Sequence, residues 1–354
     1  MGLITHLIEK ALKRREGLAL PSGNSEQYLD KVLEVWIEKE PSPEPAGLSV
    51  SAVDGSRNRK EYVGYTVYAI AAASVLSKPH TDKLETHYLV DVDVLKPEEY
   101  SESRLRILMG ILEAKEAVSS LKDCEVLLID GSLIGNLIRP AVFNYEISEE
   151  GKSYAESIYR EMVSSFSTNT INSKEFYSEL QKRFTGREYA VVAGYLEYLE
   201  YLHSYKILLE TGKEKIIAVS KRSESRIYGF DQIVSDIAVL NAVSLHLPEG
   251  FSRPNSTKLT REIKFSYPEE FEEFFRELEL ETFFFKLPGG GVYKCETVKP
   301  PEEVWNILSG FSINGYPYLL TEAHKRVKIG REEMERVLKT LKATGVTGRE
   351  GLGE

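Results

Sequence analysis

Apolar residues near the start of the chain recur three and four positions apart: Leu3, Ile4, Leu7, Ile8, Ala11 and Leu12, interrupted by His6, Glu9, Lys10 and Lys13. That spacing predicts an amphipathic helix. A second helix is expected over Gln27 to Ile37, and the Pro-rich run Glu40-Pro41-Ser42-Pro43-Glu44-Pro45 follows it. Residues 1–45 are therefore expected to form a helical segment and linker ahead of a main domain over 46–354. From Val50 the pattern changes to strands. Val50 to Asp54, the Val-, Tyr-, Ile- and Ala-rich run Tyr62 to Ser77, and the alternating stretch Leu84 to Leu95 are separated by short polar connections, which favour an antiparallel meander. Tyr100 to Leu121 returns to helical spacing through Leu105, Leu108, Met109 and Leu112, then leads into the apolar run Val126 to Asp130. A strand, a crossover helix and a further strand imply parallel pairing, with the new strand on the free side of the first. Ile216 to Val219 reads as a fifth strand, so the five would lie in the order 3-2-1-4-5.

Between the fourth and fifth strands lies a helix-prone stretch of about 146–210, polar from Ser148 to Phe184 and carrying Tyr195, Tyr198, Leu199, Leu202 and Tyr205 at helical spacing thereafter. Such an aromatic stripe packs a core or stacks bases. Ile263 to Tyr267, Thr282 to Leu287 and Val292 to Glu296 read as strands, with Gly289-Gly290-Gly291 as the turn between the last two, and helices starting at Pro301 and Arg331 close the chain. The whole describes an α/β protein: a mixed sheet flanked by helices, with a helical insertion and a C-terminal strand and helix extension.

Two segments stand out chemically. Ser51-Ala52-Val53-Asp54-Gly55-Ser56 and Leu127-Leu128-Ile129-Asp130-Gly131-Ser132 each run an apolar strand into an Asp-Gly-Ser turn. Taken singly, each is an ordinary turn after a strand. As a pair on neighbouring parallel strands about 4.8 Å apart, they bring two carboxylates to one sheet edge, where a hard divalent cation prefers oxygen ligands. Two such ions about 4 Å apart can hold the attacking water and the leaving oxygen of a phosphodiester. Glu113, on the intervening helix among Ile111, Leu112, Ala114 and Ala117, is placed to supply a third carboxylate or to face solvent. Lys221 stands where the fifth strand would end, and with Arg222 and Arg226 it forms either a phosphate contact or a solvated loop.

Three antiparallel strands, a helix and a parallel strand carrying these acids resemble the ribonuclease H-like nuclease fold. More narrowly, Ala-Val-Asp-Gly-Ser-Arg at 52–57, Leu-Ile-Asp-Gly-Ser at 128–132 and Gly-Tyr-Pro-Tyr-Leu-Leu-Thr-Glu-Ala-His-Lys at 315–325 are similar, in this order, to motifs of the NurA family of DNA-repair nucleases. The resemblance implies that Asp54, Glu113 and Asp130 are metal-binding catalytic acids. It also implies that Tyr316 and His324 complete the site, with His324 a further metal ligand. If 316–324 is helical throughout, with Pro317 in the first turn, the two share one face two turns apart. The family further implies Mn²⁺ or Mg²⁺, one or two ions per site. Its substrate would be single- and double-stranded DNA, degraded 5′-to-3′ with some endonuclease action during double-strand break repair. Its expected partners are a second copy in a homodimer and a HerA-type hexameric translocase.

Composition narrows the alternatives. A formal charge of −10 argues against a protein that coats nucleic acid, although a nuclease needs only a local basic channel. Cys124 and Cys295 are the only cysteines, too few for a disulfide framework or thiolate cage, and no apolar run is long enough for a membrane span. A cytoplasmic setting is expected. Neither Gly289-Gly290-Gly291 nor Gly151-Lys152-Ser153 completes a phosphate loop, so no ATPase activity is expected. Two other readings stay open: a catalytically silent nucleic-acid-binding or adaptor module on the same sheet, and a sugar kinase or ATPase of the actin-like superfamily.

Overall fold

The computed structural model describes residues 2–14, 26–43, 47–139, 141–259, 265–343 and 345–346. Among them, a 10-stranded mixed sheet runs through the molecule. Its strands are β1 (Trp36–Glu38), β2 (Val50–Tyr62), β3 (Tyr65–Ser77), β4 (Glu85–Leu95), β5 (Val126–Asp130), β6 (Ile216–Ser220), β7 (Gly250–Ser252), β8 (Asn255–Lys258), β9 (Glu279–Lys286) and β10 (Val292–Thr297). They lie in the order β1-β7-β9-β10-β6-β5-β2-β3-β4, with β8 added beside β9. The pairings β2–β5 and β5–β6 are parallel, Val53 standing opposite Ile129 and Ile129 opposite Ala218. The other pairings are antiparallel.

Helices cover both faces. On one, α3 (Ser101–Ser120) crosses from β4 to β5 and packs against the long α8 (Gly186–Gly212), with α6 (Glu149–Ser164) outside it. The shorter helices α4 (Leu133–Leu137), α5 (Phe143–Glu146) and α7 (Tyr177–Arg183) fill the connections. On the other face lie α11 (Pro301–Gly310) and α12 (Tyr318–Val327). Strand periodicity sorts the core accordingly: Val53, Leu127 and Ile129 join the α3–α8 cluster, whereas Val50, Ala52, Val126 and Leu128 join the cluster of Trp305, Leu308, Leu319 and Ala323. β3 is apolar along nearly its whole length because both of its faces are covered. β4, at the edge, exposes Tyr88, Val90 and Val92 on alternate positions.

Several expectations need correction. The strands expected over Thr282 to Leu287 and Val292 to Glu296 extend the same sheet. β10 pairs directly with β6, and β9 extends the sheet beyond it, because a five-strand sheet would leave the apolar edge of β6 open. The second helix, α2 (Glu26–Val35), stops before Trp36, which starts β1 against β7. Beyond it the Trp305 indole donates to the Glu40 carbonyl and Ser42 donates to Asn306. Of the expected strand Ile263 to Tyr267, residues 263–264 lie outside the described residues, and Phe265 to Tyr267 is not a strand. Tyr267 packs in the core, its hydroxyl donating to the Leu137 carbonyl.

The segment 316–324 is not one helix. Asn314 and Gly315 both have positive φ, 53° and 75°, and close a two-residue hairpin between β11 (Ser312–Ile313) and β12 (Tyr316–Pro317). α12 begins only at Tyr318. The remaining helices are α1 (Leu3–Arg14), α9 (Asp236–Ala242), α10 (Glu269–Glu277) and α13 (Arg331–Thr340). No helix among the described residues is long and apolar enough to cross a membrane.

Candidate metal centre

The parallel pairing of β2 with β5 places Asp54 and Asp130 each one residue beyond the paired Val53 and Ile129. Both acids share the parity of Val50, Ala52, Val126 and Leu128, so they face the side covered by α12. There His324, in the last turn of α12, hydrogen-bonds through Nδ1 with Asp54 Oδ2 at 2.8 Å. One ligand atom from each of Asp54, Asp130 and His324 lies within 4.8 Å of the others. Local structure holds the acids in place. The Gly55 amide donates to Asp54 Oδ1 at 2.8 Å. After Asp130, Gly131 takes φ 129°, and Ser132 caps α4 by accepting from the Gly135 amide. Buried Glu296 on β10 pins that turn, accepting from Ser132 Oγ at 2.7 Å and from the Ile134 amide at 3.0 Å.

Glu113 approaches from the opposite face. Gly55, with the opposite parity to Asp54, has no side chain to block it: a Cβ there would lie 3.2 Å from Glu113 Oε2. The carboxylate of Glu113 is thus beside the acidic edge but outside the three-residue cluster. Tyr316 arrives through the β11–β12 hairpin rather than along α12, and its buried hydroxyl faces the Asp130 carboxylate.

The charges are out of balance. Burial, then the neighbouring Asp130, raises the proton affinity of Asp54, while His324 opposes the shift. Burial raises Glu113 well above an ordinary glutamate, and Asp54 and Asp130 push it further. Burial and Asp130 likewise raise the Tyr316 phenol. Two carboxylates with an imidazole are a fitting donor set for a divalent cation such as Mn²⁺.

Lys221 belongs to the same site. Its ammonium lies 2.6 Å from Asp130 Oδ2 and 4.7 Å from the centre of the Tyr316 ring. Sequence reasoning left it outside the catalytic set, although its position just after a strand parallel to β5 was the available signal. Arg226 is elsewhere: its guanidinium donates to the carbonyls of Gln232 and Ile233, bracing its own loop instead of facing the acids. The tyrosine stripe of α8 is likewise structural, with Tyr195, Tyr198 and Tyr205 buried.

A NurA domain model matches residues 48–329. The chain is 27% identical, over 98% of its length and 92% of the relative's, to a probable DNA double-strand break repair nuclease NurA of Methanocaldococcus jannaschii. It is 26% identical, over 95% of each chain, to the DNA double-strand break repair nuclease NurA of Saccharolobus solfataricus. Among solved structures, the NurA nuclease from Sulfolobus solfataricus superposes with a TM-score of 0.72 at 22% identity, covering 96% of each chain. A crystal structure of NurA bound to dAMP and manganese superposes with a TM-score of 0.70 at 18% identity, covering 98% of this chain and 99% of that one. These likenesses establish a shared fold over nearly the full length.

Proposed function

The chain belongs to the NurA family, and from that premise we propose that it is a metal-dependent DNA nuclease that hydrolyses phosphodiester bonds at the Asp54–Asp130–His324 edge. The observation that carries this reading is the convergence of three ligand atoms within 4.8 Å at one end of a parallel strand pair. The relatives named for break repair, and the structures named for manganese and dAMP, support the same chemistry. In this reading β4-β3-β2-β5-β6 is the ribonuclease H-like part of the sheet, the nuclease domain occupies 46–354, and the helices of about 146–210 are an insertion into it.

Asp54, Asp130 and His324 would hold Mn²⁺, or Mg²⁺, in one or two ions. The bound cation supplies Lewis acidity and a water acidic enough to act as nucleophile near neutral pH. Glu113, held beside the acids from the opposite face, would in its ionised form accept the proton of the attacking water. Lys221, paired with Asp130 here, would be placed to contact a non-bridging phosphate oxygen. The Tyr316 hydroxyl donates to the phosphate from the hairpin side. Because imidazole is a softer donor than carboxylate, activity favours Mn²⁺.

The proposed activity is 5′-to-3′ exonuclease action on single- and double-stranded DNA with some endonuclease cleavage. Its setting is a homodimer that works with a HerA-type translocase. α1 buries none of its residues and exposes Leu3, Leu7, Ile8 and Leu12 along one stripe, which we assign to the dimer or translocase contact. Deleting residues 1–20 should weaken assembly in light scattering and translocase pull-down, and unchanged assembly would remove α1 from that role. The activity itself is tested on 5′- and 3′-labelled DNA in Mn²⁺, Mg²⁺ and EDTA, beside an ATP-hydrolysis assay. DNA that survives in both metals overturns the nuclease reading, and metal-dependent ATP turnover would replace it with the actin-like alternative.

A further inference from the structure

A groove of about 580 Å³ adjoins the metal centre, lined by α4, by residues 222–227 and by β8, β9 and β10. It begins at Ser132, two residues past Asp130, and at Arg222, next to Lys221. Its volume lies within the range of sites that hold a small molecule or a single nucleotide.

Three features give it chemistry. First, Arg139 and Arg222 are both exposed and line the groove, and among the described residues neither has an ion-pair or hydrogen-bond partner. On a chain of formal charge −10, two free guanidiniums facing one cavity, against the single lining carboxylate Glu224, make a local anion site. The third lining cation, Lys294, is already neutralised by Glu296 at 2.5 Å. Guanidinium groups match phosphate oxygens in paired, planar geometry. Second, Thr282 on β9 is 1% exposed and lines the same groove, yet among the described residues its hydroxyl has no hydrogen-bond partner. A buried hydroxyl left unmet is costly, so its position here marks a place where a polar ligand atom completes the bond. Third, Ile138, Ile227 and Phe265 provide apolar surface, and the ring of Tyr145 stands 69% exposed at the rim.

We infer that this groove holds the nucleotide flanking the scissile phosphodiester, with Arg139 and Arg222 on its phosphate, the Thr282 hydroxyl on its sugar or base, and Tyr145 stacked on the base. This rests on the nuclease reading and adds a second point of grip on the strand. The grip explains how an acidic protein retains a polyanion at its active edge: two cations are concentrated beside the acids.

The test is fluorescence anisotropy of dye-labelled (dT)6 in EDTA, where neither metal nor cleavage enters. The double variant Arg139→Ala/Arg222→Ala should weaken binding at least tenfold at low salt. It should also flatten the slope of log Kd against log salt by about 0.7, the change expected when one phosphate of a single strand loses its cationic contacts. Arg222→Lys in the Arg139→Ala background should restore part of that slope. Tyr145→Ala should weaken binding at least fivefold while leaving the slope as in wild type, because stacking releases no counterions. All three side chains are exposed, so circular dichroism should remain native. Unchanged affinity and slope in the folded double variant would overturn the groove assignment even if the protein degrades DNA. Arginine-dependent binding of (dT)6 by a chain that degrades no DNA in Mn²⁺ would instead overturn the nuclease reading and keep the groove as a strand-binding site.

Discussion

Where α3 meets α8, Arg104 and Lys115 are buried, and each faces a glutamate of α8. Arg104 Nε lies 3.1 Å from both carboxylate oxygens of Glu197, to which the Tyr177 hydroxyl also donates. Lys115 Nζ reaches Glu200 at 2.5 Å and the carbonyls of Ser167 and Thr170 at 2.9 and 2.6 Å, while the amides of Asn172 and Ser173 donate to Glu200. The flank of the same helix that reaches the sheet edge carries Glu113, and there the balance is the reverse. Glu113, Asp54 and Asp130 gather, and among the described residues His324 and Lys221 are what pair with these acids. Buried charge persists in a scaffold when it is paired and hydrogen-bonded. At the sheet edge like charges are crowded without enough counter-charge, so the fold carries strain that a divalent cation would relieve. Neutralised and unneutralised buried charge therefore separate support from chemistry within one helix.

The comparison breaks most visibly on the scaffold side. Glu200→Ala leaves the Lys115 ammonium buried beside carbonyls alone, and chemical denaturation should show a loss of about 3–5 kcal/mol. A Lys115→Met/Glu200→Leu pair should recover most of that loss, since both charges then leave together. A single variant with wild-type stability would mean that the pair counts no more than a surface ion pair.

On the site side, the largest effect is catalytic. Asp54→Asn and Asp130→Asn should each slow DNA cleavage in Mn²⁺ by at least about 100-fold while the protein stays folded, because the amide keeps the shape and removes the charge that holds the cation. Near-normal cleavage by either variant would dismantle the proposed metal centre. His324→Ala should cost roughly tenfold or more and shrink the preference for Mn²⁺ over Mg²⁺, measured as the ratio of rates in the two metals. Equal losses in both metals would leave His324 as an orienting partner of Asp54 rather than a ligand.

The smallest effect sharpens the contrast in stability. Glu113 keeps its proton to higher pH in the folded chain than the ordinary carboxyl value of 4.5, so the folded state binds more protons than the unfolded state above that value. Stability from this group is therefore present at low pH and lost as pH rises through the folded carboxyl's range. In EDTA, Glu113→Gln should raise the melting temperature by a few degrees at neutral pH, with the gain shrinking toward pH 4. A variant that melts lower than wild type at neutral pH would show that Glu113 is neutralised by something other than a cation.

Pattern alone located much of this. The adjacency of β2 and β5 followed from a crossover helix between two apolar runs, and with it the meeting of Asp54 and Asp130, since a parallel register carries equivalent positions to the same edge. Glu113 was legible as a helix residue, but its approach from the opposite face depends on Gly55 leaving room. Pro317 suits a helix start with Tyr316 capping its entrance, whereas the Asn314-Gly315 turn carries Tyr316 into a hairpin strand. Lys221 and Arg226 looked alike as cations after a strand, yet one salt-bridges Asp130 and the other braces carbonyls of its own loop.

By itself the sequence determined the strands and crossover helix from β2 to β6, the parallel strand pair and the two aspartates, because periodicity and crossover length are local properties of the chain. Which distant side chains complete the edge was decided only by the tertiary structure. His324, Lys221 and Glu113 come from elements far apart in the chain, and their distances depend on how α12, β6 and α3 pack on the sheet. The same packing decides which buried charges are neutralised. Burial and pairing depend on three-dimensional neighbours, so a glutamate at 113 and a glutamate at 200 read alike along the chain and differ only once their surroundings are assembled.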